Sequence, residues 1–209
     1  MKSIRVALAA TAAGASLFAL TACGTPVEAG AAAVVGDQRV SAQDLKTNVQ
    51  EFEAALRKAQ IDPGQLGVPI SQFVLFRMTN QIRYQQIADK HGVTVSETEI
   101  DQALKQPGQQ QSPEMNLLTK GVSPANPRPY LRAELGAAKV IEKWGGTQSQ
   151  AAAAKWNEEY NAVKPVFSPR YGTFTPDQGF VDAGRFGTPA QPPQQQQPPQ
   201  QQQQQQQQQ

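Results

Sequence analysis

Cys23 is the only cysteine in the 209-residue chain, so whatever folds after it does so without an internal disulfide. Such a domain needs a packed apolar core, and residues 31–175 are long enough to build one. Ala31 to Val35 is a short apolar run before Gly36-Asp37, with Val40 resuming afterwards, which predicts a strand and a tight turn. Ser41 then caps a helix, with Asp44 placed as in a capping box. Leu45, Val49, Phe52 and Leu56 follow at helical spacing and form one buried stripe, ending before Asp62-Pro63-Gly64.

Ser71 is the expected N-cap of the next and strongest helix. Phe73, Val74, Leu75, Phe76, Met78, Ile82 and Ile87 give it a broad apolar surface, and His91-Gly92 ends it. Val93-Thr94-Val95 is extended, and Ser96 with Glu99 forms a second capping box before Ile100, Ala103 and Leu104. Residues 106–113, rich in Pro, Gly and Gln, read as a flexible loop. Met115, Leu117 and Leu118 predict a further turn or two of helix. Pro127 and Pro129 bound the start of a helix carrying Leu131, Leu135, Val140, Ile141 and Trp144, which stops at Gly145-Gly146. The alanine-rich stretch 148–160 is helical by propensity, and 163–174 is extended. The fold class is therefore mostly α with a minor β component: a multi-helix module closed by a small sheet formed from its N- and C-terminal strands.

The first residues carry an address. Lys2 and Arg5 precede an uncharged Ala/Leu-rich run from Val6 to Leu20, which ends in Leu20-Thr21-Ala22-Cys23. The run is shorter than the roughly 20 apolar residues of a membrane span. A charged start, a short apolar core and small residues before a cut are the layout of a secretory signal. The segment resembles a bacterial lipoprotein signal with its lipobox. That resemblance implies cleavage between Ala22 and Cys23, diacylglycerol on the Cys23 thiol and acylation of the new amine. Two or three chains would anchor the protein to a bacterial membrane on its extracytoplasmic side without a spanning helix. Residues 1–22 are then the signal, 23–30 a tether, 31–175 the folded domain and 176–209 a tail. Beyond Thr188 that tail holds only Pro, Gln and Ala190, which cannot bury enough apolar surface to order itself.

Lys2 and Arg5 also account for the whole formal charge of +2, so the chain from Cys23 onward is neutral. It has no basic cluster of the kind that nucleic acid requires. His91 is the single histidine, and with Cys23 lipidated neither a zinc site nor a Ser-His-Asp triad can be assembled. At the end of a helix, His91 reads as a partner of the last carbonyls and the dipole. Glu97, Glu99, Glu158 and Glu159 read as capping or solvated carboxylates rather than a catalytic pair. No glycine-rich phosphate loop is present. The sequence predicts no catalytic residue, no cofactor and no metal.

Three segments together resemble the N-terminal chaperone domain of SurA-type folding factors. They are residues 32–41, with Val34-Val35-Gly36-Asp37 and Val40-Ser41; residues 81–100, with the long helix, His91-Gly92-Val93, Val95-Ser96 and Glu99-Ile100; and residues 167–174, with Ser168-Pro169-Arg170-Tyr171-Gly172. Ser168 stands where that family usually has asparagine. A lipid anchor joined to this module resembles the foldase lipoproteins. The parvulin isomerase domain of those proteins needs about a hundred residues, and 146–163 has no room for it, so prolyl isomerase activity is not implied. The resemblance implies a non-enzymatic, membrane-anchored protein that binds unfolded or nascent secreted and envelope chains. Phe73, Phe76, Met78, Arg170 and Tyr171 are its candidate peptide-binding residues, since methionine and aromatic side chains suit promiscuous apolar contact. The alternative is an envelope scaffold or adaptor that binds one specific partner.

Overall fold

The computed structural model describes residues 29–109 and 112–181. The signal, Ala22, Cys23 and most of the tether and tail lie outside the described residues. Within them the order is strand β1 (Ala31–Val35), β2 (Gln38–Ser41), then helices α1 (Ala42–Lys58), α2 (Ile70–Lys90), α3 (Glu97–Ala103), α4 (Pro113–Thr119), α5 (Arg128–Lys143) and α6 (Gln150–Ala162). Strands β3 (Pro165–Phe167), β4 (Thr173–Thr175) and β5 (Gly179–Val181) complete it. The architecture is mostly helical with small antiparallel sheets, as the periodicities predict.

The N-terminal strands and the strand that follows α6 meet in the first sheet, whose order is β2-β1-β3; β4 and β5 form a second. Ala33 pairs with Val40 on one side and Phe167 on the other, and Val34 pairs with Arg39 and Val166. Ala31, Ala32 and Ala33 are buried because α2 crosses that sheet, and alanine lets the backbones approach. Gln86 Nε2 on α2 donates to the Val35 carbonyl at 2.9 Å, fixing the crossing.

Helix α2 is the axis of the molecule. Val74 and Leu75 join Phe52, Leu56, Leu45 and Leu118 in the main core, while Ile87 and Ala88 meet Val140 of α5. A third cluster joins Ile100, Leu117, Val122, Tyr130 and Leu131. Helix α6 is fastened to α2 largely by polar and aromatic contacts. The Arg83 guanidinium lies 3.2 Å from the centre of the Tyr160 ring and donates to the Tyr160 carbonyl. Burial pushes the pKa of Arg83 down. The Tyr160 hydroxyl donates to Asn80 Oδ1 at 2.6 Å, and Lys90 pairs with Glu159 at 2.6 Å.

Several expectations need correction. Helix α2 begins at Ile70, with Pro69 as its cap and no side-chain cap bond. The Pro69 carbonyl already accepts from the amides of Gln72 and Phe73, so Ser71 lies inside the first turn. Ser41 caps α1 by accepting from the Asp44 amide at 2.9 Å, but Asp44 returns its carboxylate to the Ser41 hydroxyl rather than to its amide. Pro113, placed in the glutamine loop, is the first residue of α4, capped by Ser112. The boundary at 175 also falls inside a hairpin: β4 pairs with β5, Phe174 opposite Phe180, so the fold runs on to Val181. Phe180 buries against Phe167 and Phe174, which gives residues 176–181 the apolar contact that tail composition lacks.

The Ser96–Glu99 box is complete: the Glu99 amide donates to Ser96 Oγ at 3.3 Å, and Glu99 Oε2 accepts from the Ser96 amide at 2.9 Å. Lys139 Nζ of α5 meets the other carboxylate oxygen at 2.6 Å. Lys139 first, then Ser96, hold the Glu99 carboxyl down from 4.5 to about 2. A depressed carboxyl stabilises the fold fully above its unfolded value, and that contribution disappears as pH falls through its folded value. Thermal unfolding followed by circular dichroism should therefore show a midpoint that drops between pH 4.5 and about 2. Glu99→Gln should reduce that slope and leave the far-UV spectrum unchanged. An identical slope in the variant would remove Glu99 as its source.

Candidate functional site

Helix α1 has two apolar faces. Leu45, Phe52 and Leu56 enter the core, with Val49 packed against them. Glu51, Ala54, Ala55, Lys58 and Ala59, also at helical spacing, line an open groove of about 570 Å³. Glu114 and Leu118 of α4 and the Ser123-Pro124-Ala125 turn form its other wall. Leu118 and Ser123 are buried at the floor, and the alanines leave the groove wide because they fill so little of it. Three ionisable groups, Glu51, Lys58 and Glu114, stand among these mostly apolar residues.

The walls are held from beneath by α2. Arg77 Nε donates to the Gly121 carbonyl at 3.2 Å, Arg77 Nη2 to Asn48 Oδ1 of α1 at 2.7 Å, and Arg77 Nη1 to Gln81 at 3.1 Å. One guanidinium thus ties α1 to the turn after α4. Its burial pushes its pKa down to about 10, against the opposing influence of Tyr130 and Glu51. Gly121 has φ +74°, and a Cβ there would lie 2.9 Å from the Phe73 ring. Glycine lets the turn close over that ring. Lys120 pairs with Glu134 of α5 at 2.7 Å and sets the turn's other end. Burial, and then Glu134, push the Tyr130 phenol up.

The five candidate peptide-binding residues are not brought together in this groove. Phe73 lies 5.9 Å from Phe52, ring centre to centre, beneath Gly121. Phe76 stacks on Phe174 at 5.4 Å, and Met78 packs against the main core. Tyr171 is half-buried beside that core and accepts a hydrogen bond from Gln72 through its carbonyl at 2.9 Å. Arg170 is exposed on the same short turn, Pro169–Tyr171. The sequence does not mark Ala54, Ala55 and Ala59 as groove residues, because alanine suits any helix position.

The remaining candidates for chemistry serve the fold. His91 caps α2, its ring 3.2 Å from Glu159 and edge-on to Trp144 at 5.0 Å. Glu97 meets Arg128 and Arg132 of α5, and Lys90 first, then His91, hold the Glu159 carboxyl down. Among the described residues no group of three His, Cys, Asp or Glu side chains is placed to hold a metal.

An antiparallel N-terminal hairpin, a long central helix, a glycine stop and a capped helix are thus joined in one body. Residues 2–122 match the family described as the SurA-like N-terminal domain. The chain belongs to that family. The match holds the first two segments that carried the resemblance and the α1 and α4 residues of the groove; the Ser123-Pro124-Ala125 turn, α5, α6 and the closing strands follow it. The SurA-like domain is a chaperone-type module, and no enzyme family is indicated. No curated protein matches the chain. No solved structure matches it either.

Proposed function

We propose that this protein is a chaperone-like lipoprotein that holds unfolded or extended segments of secreted and envelope chains, non-covalently, in the groove between α1 and α4. The observation that carries this reading is the alanine-lined groove itself, mostly apolar and left open by the packing of the helices. Weak binding of many sequences needs apolar area without a deep, shaped pocket, and small side chains supply it. Phe73 and Arg77 act from beneath by fixing the groove's walls. The lipid on Cys23 would keep the groove close to the membrane face where chains emerge. Among the described residues no helix is long and apolar enough to cross a membrane.

The test compares the whole chain with the double variant Ala54→Glu and Ala125→Glu. Both alanines are exposed, so the fold should survive while two carboxylates enter the groove. The parent chain should slow the light-scattering rise of a chemically unfolded client in proportion to its concentration, and the variant should lose most of that effect. Equal protection by the variant would move the binding site elsewhere. Recovery of one stoichiometric partner, with no effect on clients, would favour the adaptor reading. In cells, radiolabelled fatty acid should enter the parent chain and be absent from Cys23→Ala.

A further inference from the structure

Four phenylalanines meet where the C-terminal hairpin closes on the body. Phe167 lies 5.0 Å from Phe174 and 4.8 Å from Phe180, Phe174 lies 5.2 Å from Phe180, and Phe76 stacks on Phe174. All four are only half-buried. Beside them Pro165, Val166, Phe167, Pro169, Thr173 and Phe174, with Gly172, line a cleft of about 290 Å³ that contains no charged side chain. Val166 is 39% exposed and sits on β3, which among the described residues is an edge strand paired with β1. A shallow cleft of aromatic rings and prolines is the surface that receives polyproline II segments, which arrive already extended and lose little entropy on docking.

The chain carries such a segment close by. Pro189-Ala190-Gln191-Pro192-Pro193 places prolines at i and i+3, which share one face of a helix with three residues per turn. It has no charge, as the cleft has none. The path to it starts at the cleft: the Val181 carbonyl, at the end of β5, lies 2.7 Å from where a Cβ on Gly172 would stand. Seven residues, 182–188, then separate Val181 from Pro189, and they include Gly184 and Gly187 for the reversal. At roughly 3.3 Å per residue a linker of that length is long enough to span the cleft, and so short a connection would give a local concentration in the millimolar range.

We propose that the Phe167/Phe174 cleft docks residues 189–193 of its own chain, so that the Pro/Gln tail is seated on the fold rather than released at Val181. This stands apart from the α1–α4 groove, and either can fail without the other. The experiment uses the full-length chain with p-benzoylphenylalanine replacing Val166, irradiated and digested for mass spectrometry. Expected is a crosslink to residues 189–193 in material running at monomer mass. Exchange of Pro189, Pro192 and Pro193 for serine should lower its yield about tenfold, the loss of roughly 1.4 kcal/mol of docking. The same photoprobe replacing Ala154, on the exposed face of α6, should give none. No tail adduct at position 166, or an adduct undiminished by the serine exchanges, would overturn the proposal. An adduct confined to dimer mass would overturn docking within one chain.

Discussion

Phe52→Ala should destabilise the protein by about 4 kcal/mol, the usual cost of emptying a fully buried phenylalanine site. Phe52 has no exposed surface and sits among Leu45, Leu56, Val74, Leu75 and Leu118, with the Phe73 ring beside it. Its neighbours come from α1, α2 and α4, which are pinned by Arg77 and by the β1 crossing, so they cannot collapse into the void. A domain of this size has a total stability of roughly 5 to 15 kcal/mol, so the variant loses a large share of it. In denaturant unfolding the midpoint should fall with little change in slope, and the thermal midpoint should drop by about 8 to 16 °C. Val166→Ala, at a site 39% exposed, should change stability by no more than about 0.5 kcal/mol. Because Leu118 belongs both to this core and to the groove floor, the variant should also weaken client holding well below its melting temperature. A thermal midpoint within about 2 °C of the parent would mean that the core around Phe52 is not closed as described.

Position 52 was readable from sequence because a stripe at i, i+4, i+7 and i+11 (Leu45, Val49, Phe52 and Leu56) has only one way to meet a core. The same logic found the long second helix, the glycine at 92 and the Ser96–Glu99 box, whose signals are local. It also joined β1 to the strand that follows α6, β3, in one sheet, while the last two strands form a sheet of their own. What stayed hidden depends on contacts distant in sequence. The Phe73, Phe76 and Met78 face read equally well as core or as groove. Which it becomes is decided by Gly121 and by Phe174, 98 residues beyond Phe76. Thr173-Phe174-Thr175 and Gly179-Phe180-Val181 do alternate around Pro176-Asp177, a hairpin signal that the adjoining Pro/Gln composition masked. Ala54, Ala55 and Ala59 are the opposite case. Alanine suits any helix position, so nothing local separates an alanine that faces solvent from one that lines a groove.

Gly136 is where the same silence hides a strong constraint. A glycine in the middle of a helix costs about 1 kcal/mol against alanine, and α5 accepts that cost although Gly136 has no positive φ that would call for glycine. The reason lies across the interface. A Cβ on Gly136 would stand 2.9 Å from the Cβ of Ala88 on α2 and 3.9 Å from Val95 Cγ2. Ala88 has no rotamer with which to withdraw, so any added atom must push two helix backbones apart. Gly136→Leu should cost about 3 kcal/mol, at the upper end of overpacking, because leucine adds bulk where only hydrogen fits. Gly136→Ala should cost less, since the better propensity offsets about 1 kcal/mol of the collision. The expected order of stability in denaturant unfolding is therefore parent, then alanine, then leucine. Separating α2 from α5 also strains the Lys139–Glu99 and Lys120–Glu134 pairs, so the acid-side slope assigned to Glu99 should shrink in the leucine variant. The α1–α4 wall is held mainly by Arg77 and Phe73 and should change less. A leucine variant as stable as the parent would show that α2 and α5 do not cross in direct backbone contact at Ala88.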